Sequence, residues 1–514
     1  MASNISNNNK RIAKNTLLLY IRMFVTMLIS LYTSRVILKT LGVEDFGIYN
    51  VVGGVVSMLG FITGSMTGAS SRFITYNIGK NDISLIKSTF ANILYIHLLL
   101  MALILILSET VGLWLLVEKL QIPDNRMNAA MFVFQISVIS ALLSIFLSPY
   151  NAMIVAHERM AVFAYISICD VILKLLIVFL LSVIPFDKLI TYSFLFLLIQ
   201  IIDFLIYYIY CRRNFKNSLA PPKKNDSMYN EIIKFAGWTL TGNLAVIGYT
   251  QGLNILLNVF FGPSINAARG IAVQVQNVCR NFTYNFQMAI NPQITKSYAS
   301  HDMSYMHFLI AKSSKFSLFI MLLVTLPICL ETKYILQLWL GEVPEHTVIF
   351  LRLVLGYSIL YTLQNPVVHA INAVGKLKVF QIVESSMLLT IVPFAYISLK
   401  YYHVSPEFVF IIHLIVEVFT QIARLYIVLP QISMPFSYYY KEVVCPLFLF
   451  IVVGLIAPIV AKVSMSSDIY SFILVSLVSL TSVSLSFYIF GCNRKERQII
   501  KEIVINLMHK VRLE

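Results

Sequence analysis

Apolar stretches of membrane-spanning length alternate with short polar connections along almost the whole of this chain. A helix that crosses the hydrocarbon core of a bilayer needs about 20 largely apolar residues. On that measure the pattern predicts about fourteen spans, near 13–38, 46–68, 88–117, 128–149, 161–185, 189–210, 233–261, 265–291, 307–330, 346–370, 378–400, 407–430, 441–462 and 469–491. The expected fold is therefore all-α and polytopic, and an even number of spans puts both termini on one side. Composition agrees. Of 514 residues, 58% are apolar and only 12% charged, with a mean hydropathy of +0.79, which leaves too little polar surface for a soluble chain of this length.

The spans repeat. Sliding the sequence by 220 residues lays TLGVEDFGIYNVVGGVV (40–56) on FFGPSINAARGIAVQVQ (260–276), with Gly42 over Gly262. The register holds to GKND (79–82) over ASHD (299–302), where Asp82 meets Asp302. At an offset of 217, SPYNAMIVAHERMAVF (148–163) meets NPVVHAINAVGKLKVF (365–380), with Pro149 over Pro366 and Arg159 over Lys376. Six spans separate the copies, so they share one orientation and form parallel repeats, an arrangement that places a substrate path at the lobe interface. The expected division is an N-lobe of six helices (1–218), a C-lobe of six (219–430), and two further helices with a basic tail (431–514).

The formal charge of +15 is unevenly placed. With the N-terminus cytoplasmic, most Lys and Arg fall in cytoplasmic loops, the positive-inside bias of an oriented membrane protein. The densest pieces are CRRNFKNSLAPPKKND (211–226), read as the linker between lobes, and the tail RKERQIIKEIVINLMHKVR (494–512). Either could meet anionic membrane lipids, and nothing in this distribution points to nucleic acid. The six cysteines show no paired spacing, so neither a disulfide framework nor a metal site is expected, and no cofactor is implied. The polar, basic start MASNISNNNKRIAKN is unlike a cleavable signal peptide and reads as a cytoplasmic lead into the first helix.

Polar residues interrupt some spans with helical spacing. In 265–291, Asn277, Arg280, Tyr284, Gln287 and Asn291 recur three and four apart, on one helical face. Lipid cannot satisfy such a face, so it must meet protein or a water-filled cavity. Asn15, Arg22, Thr26, Ser30 and Thr33 form a similar stripe on the first span, and Thr239, Asn243, Thr250 and Asn254 on the seventh. The expectation is a cationic central cavity in which Arg22, Thr26, Asn243, Asn277, Arg280, Tyr284 and Gln287 bind substrate. Carboxylates at membrane depth are default candidates for ion coupling. Asp170 with Lys174, spaced as an in-helix ion pair, Asp203 and Glu417 are the expected coupling groups, with sodium or protons as the coupling ion.

The segment NTLLLYIRMFVTMLISLYTSRVILKTLGVEDFGIYNVVGGVVSMLGF (15–61), with Gly42, Phe46, Gly47 and Tyr49, resembles the first two helices of Wzx-type polysaccharide flippases. These belong to the multidrug/oligosaccharidyl-lipid/polysaccharide exporter superfamily, whose two-lobe plan with two extra helices this chain also resembles. The resemblance implies translocation of an undecaprenyl-pyrophosphate-linked oligosaccharide, of the O-antigen and lipopolysaccharide type, across a bacterial inner membrane by alternating access. It also implies a polysaccharide polymerase as a functional partner, cytoplasmic termini, and a role for the last two helices in guiding the lipid tail. The residues agree: a pyrophosphate needs fixed cations, and Arg binds its oxygens bidentately. The alternatives are an ion-coupled drug or metabolite antiporter of the same superfamily, whose cationic substrates disfavour unpaired cavity arginines, and a membrane glycan polymerase or glycosyltransferase. An enzyme would be expected to carry an acid/base constellation on a large outer loop; no catalytic residue is assigned.

Overall fold

A computed structural model of the chain describes residues 2–57, 60–118, 122–216, 219, 226–340, 343–465, 468–493 and 496–498, with some side chains inside the first helices standing outside that description. Most of the stretch 217–225 and the tail from 499 also lie outside it, so the expected linker and tail are not characterised.

The chain is helical throughout, with no strand among the described residues, and it divides into two compact units. Unit 1 contains α1 (Ala2–Ser57), α2 (Gly60–Gly79), α3 (Ile83–Leu107), α4 (Leu113–Glu118), α5 (Met127–Ala156), α6 (Met160–Val183) and α7 (Lys188–Asn214). It also takes α8 (Asp226–Phe261) as far as Leu244, and α9 (Pro263–Ala299) from Met288 on. Unit 2 holds the rest of α8 and α9 with α10 (Met303–Leu330), α11 (Thr332–Leu340), α12 (Thr347–Val374), α13 (Leu377–Leu389) and α14 (Ile391–Tyr402). It closes with α15 (Phe408–Gln431), α16 (Phe436–Tyr439), α17 (Cys445–Val463) and α18 (Ile469–Ser486).

Among the described residues, twelve helices are long and apolar enough to cross a membrane. Two expected spans are not among them. The stretch 265–291 forms a helix of full length, α9, but its arginines and amides lower its apolar content. The span 46–68 falls across the end of α1 and the start of α2. The expected connection near Gly42 is also absent: α1 runs unbroken from Ala2 to Ser57. The difference from its repeat mate is local chemistry. Gly262 adopts φ +82 and is followed by Pro263, ending α8, whereas Gly42 precedes Val43, and one glycine costs a helix only about 1 kcal/mol.

Elsewhere the repeat is written in the backbone. Asn81 and His301, which the 220-residue offset superposes, both take left-handed φ, 56 and 59. Glu158 and Gly375, superposed by the 217 offset, do the same at φ 59 and 84. Pro149 and Pro366 both lie inside helices, α5 and α12. Side-chain caps fix helix starts: Asp82 accepts from Leu85 N at 3.1 Å, and Asp187 from Leu189 N and Ile190 N at 3.0 Å each. In unit 1, α1 packs on α5 and α6, and α5 on α7; in unit 2, α10 packs on α12 and α18, and α12 on α15. The outward faces of α17 and α18 leave Phe448, Ile456, Val463 and Leu477 largely exposed, as a lipid-facing surface requires.

Candidate functional site

Unit 1 holds an open cavity of about 320 Å³ lined by Arg22, Thr26, Ser144, Ser167, Asp170, Gln200, Asp203 and Tyr207 among others. One of the arginines expected to bind substrate, Arg22, and two of the carboxylates expected to couple an ion, Asp170 and Asp203, therefore share one chamber. Arg22 comes from α1, where its guanidinium lies 4.7 Å from the Phe163 ring centroid. Asp170 pairs with Lys174 one turn along α6 at 2.8 Å, as the i,i+4 spacing predicts. Asp203 arrives from α7, within interaction reach of Asp170. Asp170, Asp203 and Arg22 line the chamber and Lys174 pairs with Asp170, so two acidic and two basic side chains meet here. Thr26 lines the same space while back-bonding to Met23 O at 3.1 Å.

In unit 2, Arg280 lies 3.5 Å from the centroid of Tyr361, a cation–π contact that fixes the guanidinium without neutralising it. Among the described residues no carboxylate lies within 4 Å of it. Tyr357 and Tyr249 lie around it, each against the His413 ring, at 4.3 and 5.0 Å between centroids. Arg269, three turns earlier on the same face of α9, donates to Asn254 and to Thr250 O.

The polar stripe of α9 splits between two environments. Asn277, Asn281 and Tyr284 are open, with Arg280 half-buried at their edge. Gln287, expected to bind substrate, is buried and donates to Ser317 at 3.0 Å and to Thr362 O at 3.4 Å, inside the helix packing. Gln276 does the same with Ser358 at 2.6 Å. Asn243 is likewise partnered, donating to Ser65 at 2.8 Å within unit 1. Glu417 sits in the core of unit 2 against Arg424 at 2.6 Å, and Arg424 also holds Glu384 at 2.7 Å. Arg424 thus stands as a fixed cation beside Glu417.

No protein-family model matches the sequence, and no curated protein does. Solved structures do match. An outward-facing multidrug resistance MATE family transporter of the MOP superfamily superposes with a TM-score of 0.69 at 16% identity, over 83% of this chain and 96% of that one. A MOP superfamily transporter from Pyrococcus furiosus, whose binding pocket of reverse polarity suggests a different function, gives 0.69 at 15% identity with the same coverage. The Vibrio cholerae MATE transporter VcmN in its bent form gives 0.68 at 16%, over 85% of this chain and 99% of that one. The fold is that of the MATE transporters. Identity this low leaves the function to be read from side chains.

Within this MATE fold, several charged groups were not legible as site residues. Arg126 grips Asp45 through two nitrogens, at 2.9 and 2.7 Å, and Asp187 at 2.5 Å, joining α1 to the starts of α5 and α7. Burial pushes the Asp187 carboxyl up, and Arg126 with the backbone N–H groups of α7 outweighs that, holding it below the ordinary range. Arg269 and the Tyr249, Tyr357 and Tyr361 rings were also missed. Aromatics in apolar helices carry no periodic signal that separates a binding floor from core.

Proposed function

We propose that this chain is a flippase for an undecaprenyl-pyrophosphate-linked oligosaccharide, moving it between leaflets of a bacterial inner membrane, with a polysaccharide polymerase downstream and both termini cytoplasmic. One observation carries the reading: Arg280 is held on an aromatic ring with no carboxylate at ion-pair distance among the described residues, beside the open amides Asn277 and Asn281 and Tyr284. A charge so placed meets an anionic headgroup, and amides with a tyrosine suit sugar hydroxyls. It repels a cationic drug. A solved protein of this fold has a pocket of reverse polarity, so the fold accommodates such a change. The test is translocation of lipid-linked oligosaccharide by purified protein in sealed vesicles. Movement of that lipid supports the reading; export of small organic cations with no lipid movement replaces it.

A second reading, an ion-coupled antiporter of drugs or metabolites, draws on the carboxylates of the unit 1 cavity. Both readings use Asp170 and Asp203 as the groups that take a proton or sodium ion. Asp203→Asn is therefore expected to abolish stimulation of transport by an imposed proton or sodium gradient. Full stimulation in that variant would remove Asp203 from coupling.

A further inference from the structure

The last turns of α9 are fastened into unit 1 by one carboxylate. Glu158, in the short connection between α5 and α6, has a side chain with 0% exposure. Its Oε1 accepts from Lys296 at 2.5 Å, and its Oε2 from Gln293 at 2.6 Å and from Arg11 Nε at 2.8 Å. Its backbone carbonyl accepts from Asn15 at 3.3 Å. Gln293 and Lys296 lie on the part of α9 that belongs to unit 1, while Arg11 and Asn15 lie on α1. One buried carboxylate thus gathers two cations and one amide from two helices distant in sequence, while its backbone carbonyl holds a second amide.

The backbone beneath it is strained for a side-chain-bearing residue. Glu158 has φ 59, and its repeat mate in the other copy is Gly375 at φ 84. A left-handed position that one copy gives to glycine is given by the other to a glutamate, at a steric cost that only its contacts offset. A second contact lies beside it. At Gly79, a Cβ would fall 2.8 Å from Ala299 Cβ and 2.9 Å from the Lys296 backbone, and Ala299 is the 220-offset mate of Gly79. The end of α9 is thus seated by backbone contact and pinned by charge. Farther up, α9 passes to unit 2 at Gln287. Close to that point Pro292 cannot donate to the Met288 carbonyl, which weakens the helix ladder there.

We propose that Glu158 is a releasable latch: its pairing with Lys296 and Arg11 holds the end of α9 in unit 1, and its release frees that end in each transport cycle. Without the carboxylate, Lys296 and Arg11 face each other as like charges, so loss of Glu158 drives the end of α9 outward instead of merely loosening it. This inference rests on the chain being a transporter and is independent of its cargo.

Glu158→Gly is the informative variant, because it gives the position the residue its repeat mate already uses and so favours folding. Hydrogen–deuterium exchange on the full chain in nanodiscs is expected to show about tenfold or greater acceleration over 288–302, with α12 and α15 unchanged; exchange over 288–302 equal to wild type overturns the latch. Release during the cycle is tested by placing cysteines at Lys80 and Ser300, the exposed neighbours of the Gly79–Ala299 contact, in a background without the six native cysteines. A reducible bis-maleimide bridge between them is expected to cut transport at least tenfold, with recovery on reduction. Undiminished transport by the bridged protein makes Glu158 a static clamp and overturns the proposal. If the unbridged protein moves no lipid-linked oligosaccharide, the cargo reading fails and the bridge is scored on whichever solute the protein does move, while the exchange result stands by itself.

Discussion

Arg280→Ala is expected to cut lipid-linked oligosaccharide translocation by about 10- to 100-fold, the loss of one or two charge-assisted hydrogen bonds to a phosphate. The magnitude follows from what holds the side chain. Its partner is Tyr361, through the ring at 3.5 Å and a hydrogen bond to the side chain, which orients the guanidinium while leaving other donors able to bind oxygen. Removing Arg280 therefore breaks no ion pair, and the variant should melt close to wild type. Arg280→Lys keeps the charge but loses the planar fork and the stacking, so it should fall between the two. Tyr361→Leu should weaken transport by freeing the arginine, and Tyr361→Phe, which keeps the ring but loses the hydroxyl's hydrogen bond to Arg280, should weaken it less. Translocation assays at matched protein levels, with a melting curve for each variant, decide the matter. A well-folded Arg280→Ala protein transporting at the wild-type rate would leave the anion-binding role without support.

What the sequence exposed was the geometry of single helices. The span pattern, the i,i+4 pairing of Asp170 with Lys174 and the spacing of the α9 stripe all follow from period and polarity along one segment. The repeat was visible as faint identity, yet it placed paired left-handed residues at 81 and 301 and at 158 and 375, because loop geometry persists where side chains have drifted. Partnership between helices was hidden. Nothing in the order of residues says that Asp203 approaches Asp170, or that Gln287 spends its amide on Ser317 and Thr362. A polar stripe tells that a face avoids lipid but not whether it meets a cavity or another helix. Gly42 misled for a related reason: a glycine permits a turn without requiring one, and Pro263, which makes the turn obligatory in the second copy, has no counterpart in the first.

Arg424→Met is expected to destabilise the protein by about 3–5 kcal/mol, the penalty for stripping the partner from a buried charge. Arg424 is 1% exposed, and it bonds Glu384 at 2.7 Å, Glu417 at 2.6 Å and Gln421 at 3.3 Å. Two carboxylates already exceed one guanidinium in charge, so its removal leaves two acids in the core of unit 2, with Gln364 donating to Glu384 at 3.2 Å and the more distant charge of Arg280 acting on Glu417. They can relieve the repulsion only by taking up a proton or drawing in a cation or water. Replacing all three together, as Glu384→Gln, Glu417→Gln and Arg424→Met, should recover most of the stability, since a neutral set owes no desolvation of charge. Thermal unfolding of the purified variants reads both results. If Arg424→Met alone melts with wild type, the triad contributes nothing to the fold. The single variant also bears on coupling. With Arg424 in place, the space beside Glu417 is filled by a cation that never leaves; without it, sodium should raise the melting temperature of the variant and not of wild type. Such a gain would mark unit 2 as a site whose ion the chain supplies itself, and would leave coupling to the carboxylates beside Arg22 in unit 1.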